Sequence, residues 1–264
     1  MWVPLRGELR ALRAAARTLD PQTVTVLTLA TVVAMAHSLW GTRKFYRREL
    51  AELMGLPADG LWPEVYSDLA QFALGFALPA AVLVFAFRRR PVDVGLGAGD
   101  VRLAVGIAAV YAPLVAMATW FLSSTAPFLD KYPGFDAAQD AWTVFLGYQL
   151  SMLVYWIGWE YLWRGFVLFG TRHTFGVYAI FIQMIPFALL HIRKPPIEAM
   201  LSIPGGLLLG ILIWRCRSFW IAVPIHAFQM LTIDLWCALR HRTGVEGTGL
   251  DALIRLLRAA GGGD

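Results

Sequence analysis

Glu160 and Arg164 stand four residues apart in the stretch Gly158-Trp159-Glu160-Tyr161-Leu162-Trp163-Arg164-Gly165, inside an apolar run from Ala141 to Gly170. That spacing makes them neighbours on one helical face, able to neutralise each other. An ionisable side chain at membrane depth costs roughly 2.5–3.5 kcal/mol on insertion scales, so it needs a partner and marks a function by default. Two histidines follow, His191 and His226, each within a further apolar segment. A carboxylate beside an imidazole can activate a water for attack on a peptide carbonyl. A second imidazole can donate to the oxyanion that develops. Alternatively, two histidines and one carboxylate can hold zinc with an open fourth position, although the His-Glu-x-x-His spacing is absent. The bland reading is glue between helices. Two more acids belong to the set. Glu198 opens the next apolar run, where it either serves the helix N-terminus or reaches back to His191. Asp234 lies two turns beyond His226, about 12 Å along the axis.

The elements that must position these groups are membrane helices. The 264 residues are 58% hydrophobic and 16% charged, with a mean hydropathy of +0.58, where soluble domains are nearer half apolar and a quarter charged. Several runs approach the ~20 residues that cross a bilayer. The reading is an all-α polytopic bundle, in contact with the lipid bilayer as one membrane domain. The net charge of +5 does not require nucleic acid, because Lys and Arg cluster at helix ends as membrane anchoring predicts. Nothing in the first 21 residues reads as a cleavable signal peptide. Cys216 and Cys237 lie too far apart for a disulfide, about 30 Å along one helix and its approach.

Taken in order, Arg6, Arg10, Arg13 and Arg17 form a basic helical face suited to headgroups. Residues 23–40 are the first span, with His37 expected at the interface. Residues 41–62 read as an amphipathic surface helix broken at Gly55 and Pro57. Residues 68–87 and 101–122 are the next spans, separated by Arg88-Arg89-Arg90-Pro91 and a Gly-rich turn. Residues 123–136 form a loop. Residues 137–172 would reach about 54 Å as one helix, well beyond a hydrocarbon core of about 30 Å, so they must tilt, project or bend near Gly147 or Gly158. Spans follow at 175–191, 197–214 and 219–239, making about seven, with Gly205, Gly206 and Gly210 offering small packing faces. The tail carries an amphipathic stretch over 250–257 and then Gly261-Gly262-Gly263.

Glu160-x-x-x-Arg164-Gly165, Phe187-x-x-x-His191 and the later His226 together resemble the CPBP family of intramembrane proteases, which includes CAAX prenyl endopeptidases and bacteriocin-processing relatives. The resemblance covers roughly Gln139 to Leu239. It implies a helical membrane fold with a buried, water-accessible site that hydrolyses a peptide bond of a membrane-associated protein or peptide. It also implies a glutamate–histidine pair that activates water, with the later histidine stabilising the oxyanion. On it rest the expected roles: Glu160 as base, His191 as its water-orienting partner, His226 on the oxyanion, Arg164 fixing Glu160, and Glu198 and Asp234 in support. The pattern His191-x-x-Lys194-Pro195-x-x-Glu198 resembles a bacterial branch, which implies a bacterial cytoplasmic membrane. No cofactor is implied with certainty, and zinc stays open.

Two departures stand out. The family carries two adjacent glutamates, the first being its expected base, and here Trp159 replaces that first one. The family's last motif ends in Asn four residues after the histidine, and here Met230 stands there, which cannot donate a hydrogen bond. The alternative reading is therefore an inactive membrane scaffold that keeps the fold. A transporter would call for pseudo-symmetric halves, and the sequence shows no internal repeat. The organisation read from the chain is an N-terminal set of membrane and amphipathic helices over 1–136, a core over 137–240 and a tail over 241–264.

Overall fold

A computed structural model of the chain describes residues 2–261, with side chains described from residue 7 onward. The side chain of Arg6, and residues Gly262 and Gly263 of the tail, lie outside the described residues. Every regular element among those described is helical. The long helices are α1 (Trp2–Ala16), α2 (Pro21–Trp40), α3 (Trp62–Ala86), α4 (Val101–Leu122), α5 (Trp142–Glu160), α6 (Leu168–Phe175), α7 (Ala179–Leu189), α8 (Pro196–Cys216), α9 (Ala222–Thr243) and α10 (Leu250–Gly261).

Among the described residues, six apolar helical stretches are long enough to cross a membrane: α2, α3, α4, the continuous run Trp142–Leu189, α8, and Phe219–Thr243. The fourth contains 48 residues, about 72 Å if straight, far more than a bilayer holds. It solves this by reversing at Gly176, whose φ of +55° and ψ of −137° suit a residue without Cβ. After the reversal α7 runs back along the chain it has just left, and Phe187 stacks on Arg164. The expected spans at 137–172 and 175–191 are thus two legs of one folded helix. The second leg, α7, has eleven residues, about 16 Å, and His191 lies half-buried just past its end.

The expected bend falls elsewhere as well. Ala141 is extended and separates a single turn, Ala137–Asp140, from α5. Gly147 sits in regular helix, and the change of winding begins just after Glu160. Residues Tyr161–Val167 form a π-helical segment, every one of them buried. Such wide turns recur at functional sites because they redirect side chains within a continuous helix.

The centre is α5, with α3 against one side and α9 against the other. The α5–α9 pair is antiparallel: Glu160 meets His226, Gln149 meets Asp234, and Gln139 meets Arg242. Half of the Trp142–Leu189 apolar window is buried against 6% for α4, which places the former in the core and α4 at the lipid-facing edge. Helices α7 and α8 pack as an antiparallel pair. Gln183 donates to the carbonyl of Gly206 at 3.0 Å, and a Cβ at Gly210 would lie 2.7 Å from the Gln183 amide nitrogen. The small faces read from the sequence therefore have a partner.

Two polar ends cap the apolar body. At one, Gln22 donates to Gly170 and accepts from Arg89, His173 lies 2.8 Å from Asp20, and the Asp100 amide donates to Cys216. At the other, Arg43 bonds Glu64 and Gly134, and Arg240 donates to Ser123. Lys and Arg thus frame both ends.

Helix approach is closest where α3 crosses α5. A Cβ on Gly158 would sit 2.2 Å from the Gln71 carbonyl oxygen, whereas Gly205 has open space around it. Gly158→Ala should therefore destabilise the fold by about 1–3 kcal/mol through overpacking, and Gly205→Ala should not. Thermal unfolding of both variants in detergent compares them directly.

Candidate active site

The π-helical segment that follows Glu160 turns its side chain into the bundle, and α9 brings His226 to meet it. His226 Nδ1 lies 2.5 Å from Glu160 Oε1, and Arg164 Nη1 lies 3.3 Å from both carboxylate oxygens. Glu160 and Arg164 are fully buried and His226 is 8% exposed. Trp156 stacks on the His226 ring at 4.2 Å between centroids, and the Arg164 guanidinium lies 3.9 Å over the Phe187 ring. That cation–π contact helps hold a charge that water cannot reach. The site lies twelve residues before Arg172, about 18 Å along the helix.

The imidazole bonded to Glu160 belongs to His226, not His191. His191 Nδ1 instead lies 2.7 Å from the Phe187 carbonyl of its own helix. Its ring stands edge-on to Trp159 and tilted against Phe187, which also neighbours His226. Both tethers reach acceptor-only groups, a carboxylate and a carbonyl, so each Nδ1 carries the proton. Each Nε2 is then the proton-accepting nitrogen. Burial pulls the His191 pKa down to about 4, opposed first by the hydrogen bond to the Phe187 carbonyl and then by Glu198, while the His226 and Lys194 charges pull it down further. His191 is therefore neutral at ordinary pH.

Glu198 does not reach His191. It accepts from the Tyr132 hydroxyl at 2.6–2.7 Å and pairs with Lys194 at 3.4 Å. Asp234 accepts from Gln149 at 2.7 Å, and its other oxygen is buried without a hydrogen bond. Met230, at the position of the expected Asn, is 7% exposed within the main apolar cluster. Trp159 fills the place of the first glutamate with an indole packed among Tyr155, Trp163, Phe187 and His191. His37 Nε2 lies 3.3 Å from the Ser67 carbonyl and its ring meets Tyr155 edge-on.

A zinc ion does not fit these residues. Among the described residues no three His, Cys, Asp or Glu side chains converge on a point, and the guanidinium beside Glu160 would repel a cation. The pair is nevertheless incompletely satisfied: Glu160 Oε2 and Arg164 Nε and Nη2 are buried without hydrogen bonds.

The sequence reading missed several polar partners. Asp68 is buried well inside α3, not at its start, and accepts from Ser151. Gln149 bonds one oxygen of Asp234, and Tyr132 bonds Glu198. Gln149 and Ser151 are polar residues within an apolar run, a signal visible in the sequence. Tyr132 lies in a loop, and nothing local points to it.

Residues 139–232 match a protein family described as Type II CAAX prenyl endopeptidase Rce1-like. No curated protein and no solved structure matches the chain.

Removing one partner of a buried ion pair costs about 3–5 kcal/mol because the other charge is stranded. Arg164→Met should lose that much stability in equilibrium unfolding from mixed micelles. Adding Glu160→Gln to it should recover more than half. Additive losses would show that the two residues act separately.

Proposed function

We propose, because residues 139–232 match the Type II CAAX prenyl endopeptidase Rce1-like family, that the chain is an intramembrane endopeptidase working through Glu160, His226 and His191. The observation that carries this reading is the 2.5 Å bond between Glu160 Oε1 and His226 Nδ1 within that segment. An imidazole held by a carboxylate on one nitrogen offers the other as a proton acceptor, and the carboxylate stabilises the imidazolium that forms. In this reading His226 Nε2 takes a proton from water, and the hydroxide adds to the peptide carbonyl. The carbon–nitrogen bond then breaks, and the same proton passes to the departing amine. Arg164 keeps Glu160 in place and balances its charge. His191 supplies a second Nε2 that accepts a hydrogen bond from the water. Glu160 thus acts through His226 rather than as the direct base. That division suits a carboxylate with no exposed surface and a sequence whose first family glutamate is Trp159. The substrate is a protein or peptide associated with the bilayer.

The second reading, an inactive scaffold, is favoured by Trp159 and Met230. Reconstitution in liposomes with membrane-anchored peptides separates the two. On the peptidase reading, Glu160→Gln, His226→Ala and His191→Ala each lower kcat/KM at least about a hundredfold, with the protein level held. Stable binding without cleavage by the wild type would favour the scaffold.

The low pKa of His191 has its own consequence. An unfolded chain protonates this histidine near the ordinary 6.5, whereas the folded chain does so only near about 4. Stability is therefore complete above about pH 6.5 and falls as pH drops towards 4. The thermal midpoint in detergent should decline across that window. The decline should be shallower in His191→Gln, which has no proton to take up there.

A further inference from the structure

His191 ends a helix of only eleven residues, and the turn after it, Ile192–Pro195, has no regular structure of its own to hold it. Lys194 supplies the hold. Its backbone amide donates to the His191 carbonyl at 2.9 Å. Its ammonium donates to the Tyr132 hydroxyl at 2.6 Å and lies 4.7 Å over the Tyr132 ring. That hydroxyl donates in turn to both oxygens of Glu198, which also pairs with Lys194. One hydroxyl thus joins a cation and an anion that flank the histidine at +3 and +7.

Tyr132 is itself well anchored. It is 4% exposed, belongs to the cluster that includes Trp163 and Phe187, and stacks on Phe128. The segment Ala126–Leu129 beside it packs on α9, the helix that carries His226. The contact therefore ties the turn bearing one imidazole to the support of the other. Hydrogen bonds with an ionised partner are about twice as strong as neutral ones, and a closed network specifies geometry where single bonds would not. Tyr132 lies outside the matched segment 139–232.

We propose that Tyr132, Lys194 and Glu198 form a half-buried staple that positions His191, acting on the reaction only through the placement of that imidazole. The activity part of this inference rests on the peptidase reading; the placement part does not. The charged and titratable groups that act on His191 and its site are His226 from α9, Glu160 from α5, and Lys194 and Glu198 from its own turn and α8.

The test uses the full chain in nanodiscs. Diethyl pyrocarbonate modification of His191 and His226 is followed across pH by peptide mass spectrometry, beside peptide-cleavage kinetics. Tyr132→Phe keeps the ring and removes the hydroxyl; Lys194→Gln removes the ammonium. Both should raise His191 reactivity about tenfold, the scale of one charge-assisted bond. They should also move its midpoint upward from about 4 and leave His226 reactivity unchanged. In an active enzyme, kcat should fall with little change in KM, and Lys194→Arg should return part of it. Unchanged His191 reactivity in both variants overturns the staple. An equal rise at both histidines, which marks general loosening, also overturns it. A wild type that cleaves nothing sinks the peptidase reading, and the His191 measurement still decides the staple.

Discussion

A fully buried carboxylate has few stable arrangements, and Glu160 shows what one requires. The side chain has no water to solvate it, so its charge must be met from within the protein. Arg164 meets it from the same helix and His226 from another. Satisfying one negative charge therefore fixes the winding after Glu160, the approach of α5 to α9, and the register of that antiparallel pair. Phe187 completes the enclosure by covering the guanidinium, which commits α7 as well. Four helical segments are thus placed by one ion pair and its imidazole. A buried pair of this kind is weak as a source of net stability but severe on any arrangement that breaks it. It selects a geometry more than it strengthens one.

The same economy explains the reversal at Gly176. A straight helix through residues 142–189 would overshoot the bilayer, and α7 would never reach the level of Glu160. By turning back, the chain delivers Phe187 and His191 beside residues they follow by only some thirty positions. The short second leg then leaves His191 half-buried just past its end. Its Nδ1 finds the Phe187 carbonyl because the last carbonyls of a helix lack an intrahelical partner. Helix α8 can lie close against this leg because Gly206 and Gly210 leave room for Phe187 and Gln183.

Much of this is legible in the sequence, and what is not has a physical reason. Hydropathy alone gives a multi-helix membrane protein, because burying that much apolar surface in lipid needs no long-range information. The i, i+4 spacing of Glu160 and Arg164 gives their contact, because helix geometry is local. His226 as the imidazole partner is not legible in this way. Choosing between two histidines needs the relative depth of α7 and α9, and depth depends on where the chain reverses. The break at Ala141 and the π-helical winding after Glu160 escape for a related reason: both are set by packing against α3 and α9. Tyr132 is the extreme case. It stands in a loop more than sixty residues from Lys194 and Glu198, with no periodicity to announce it.

The substitution at residue 159 tests how such a site tolerates change. A second glutamate beside Glu160 would bring another charge into the same unhydrated space, with Arg164 already committed. Trp159 adds no charge, and its ring fills the volume between Tyr155, Phe187 and His191. The exchange trades a second carboxylate for apolar contact around His191, and burial then keeps that imidazole neutral. On the proposed reading, proton handling falls to the histidines. A site built on Glu160, His226 and His191 is electrically simpler than one with paired carboxylates: one carboxylate and one guanidinium beside two imidazoles. That balance limits the charge a water-poor interior must hold, although Glu160 Oε2 and Arg164 Nε and Nη2 keep no hydrogen bond there, and on the proposed reading it lets the remaining groups act without the first glutamate.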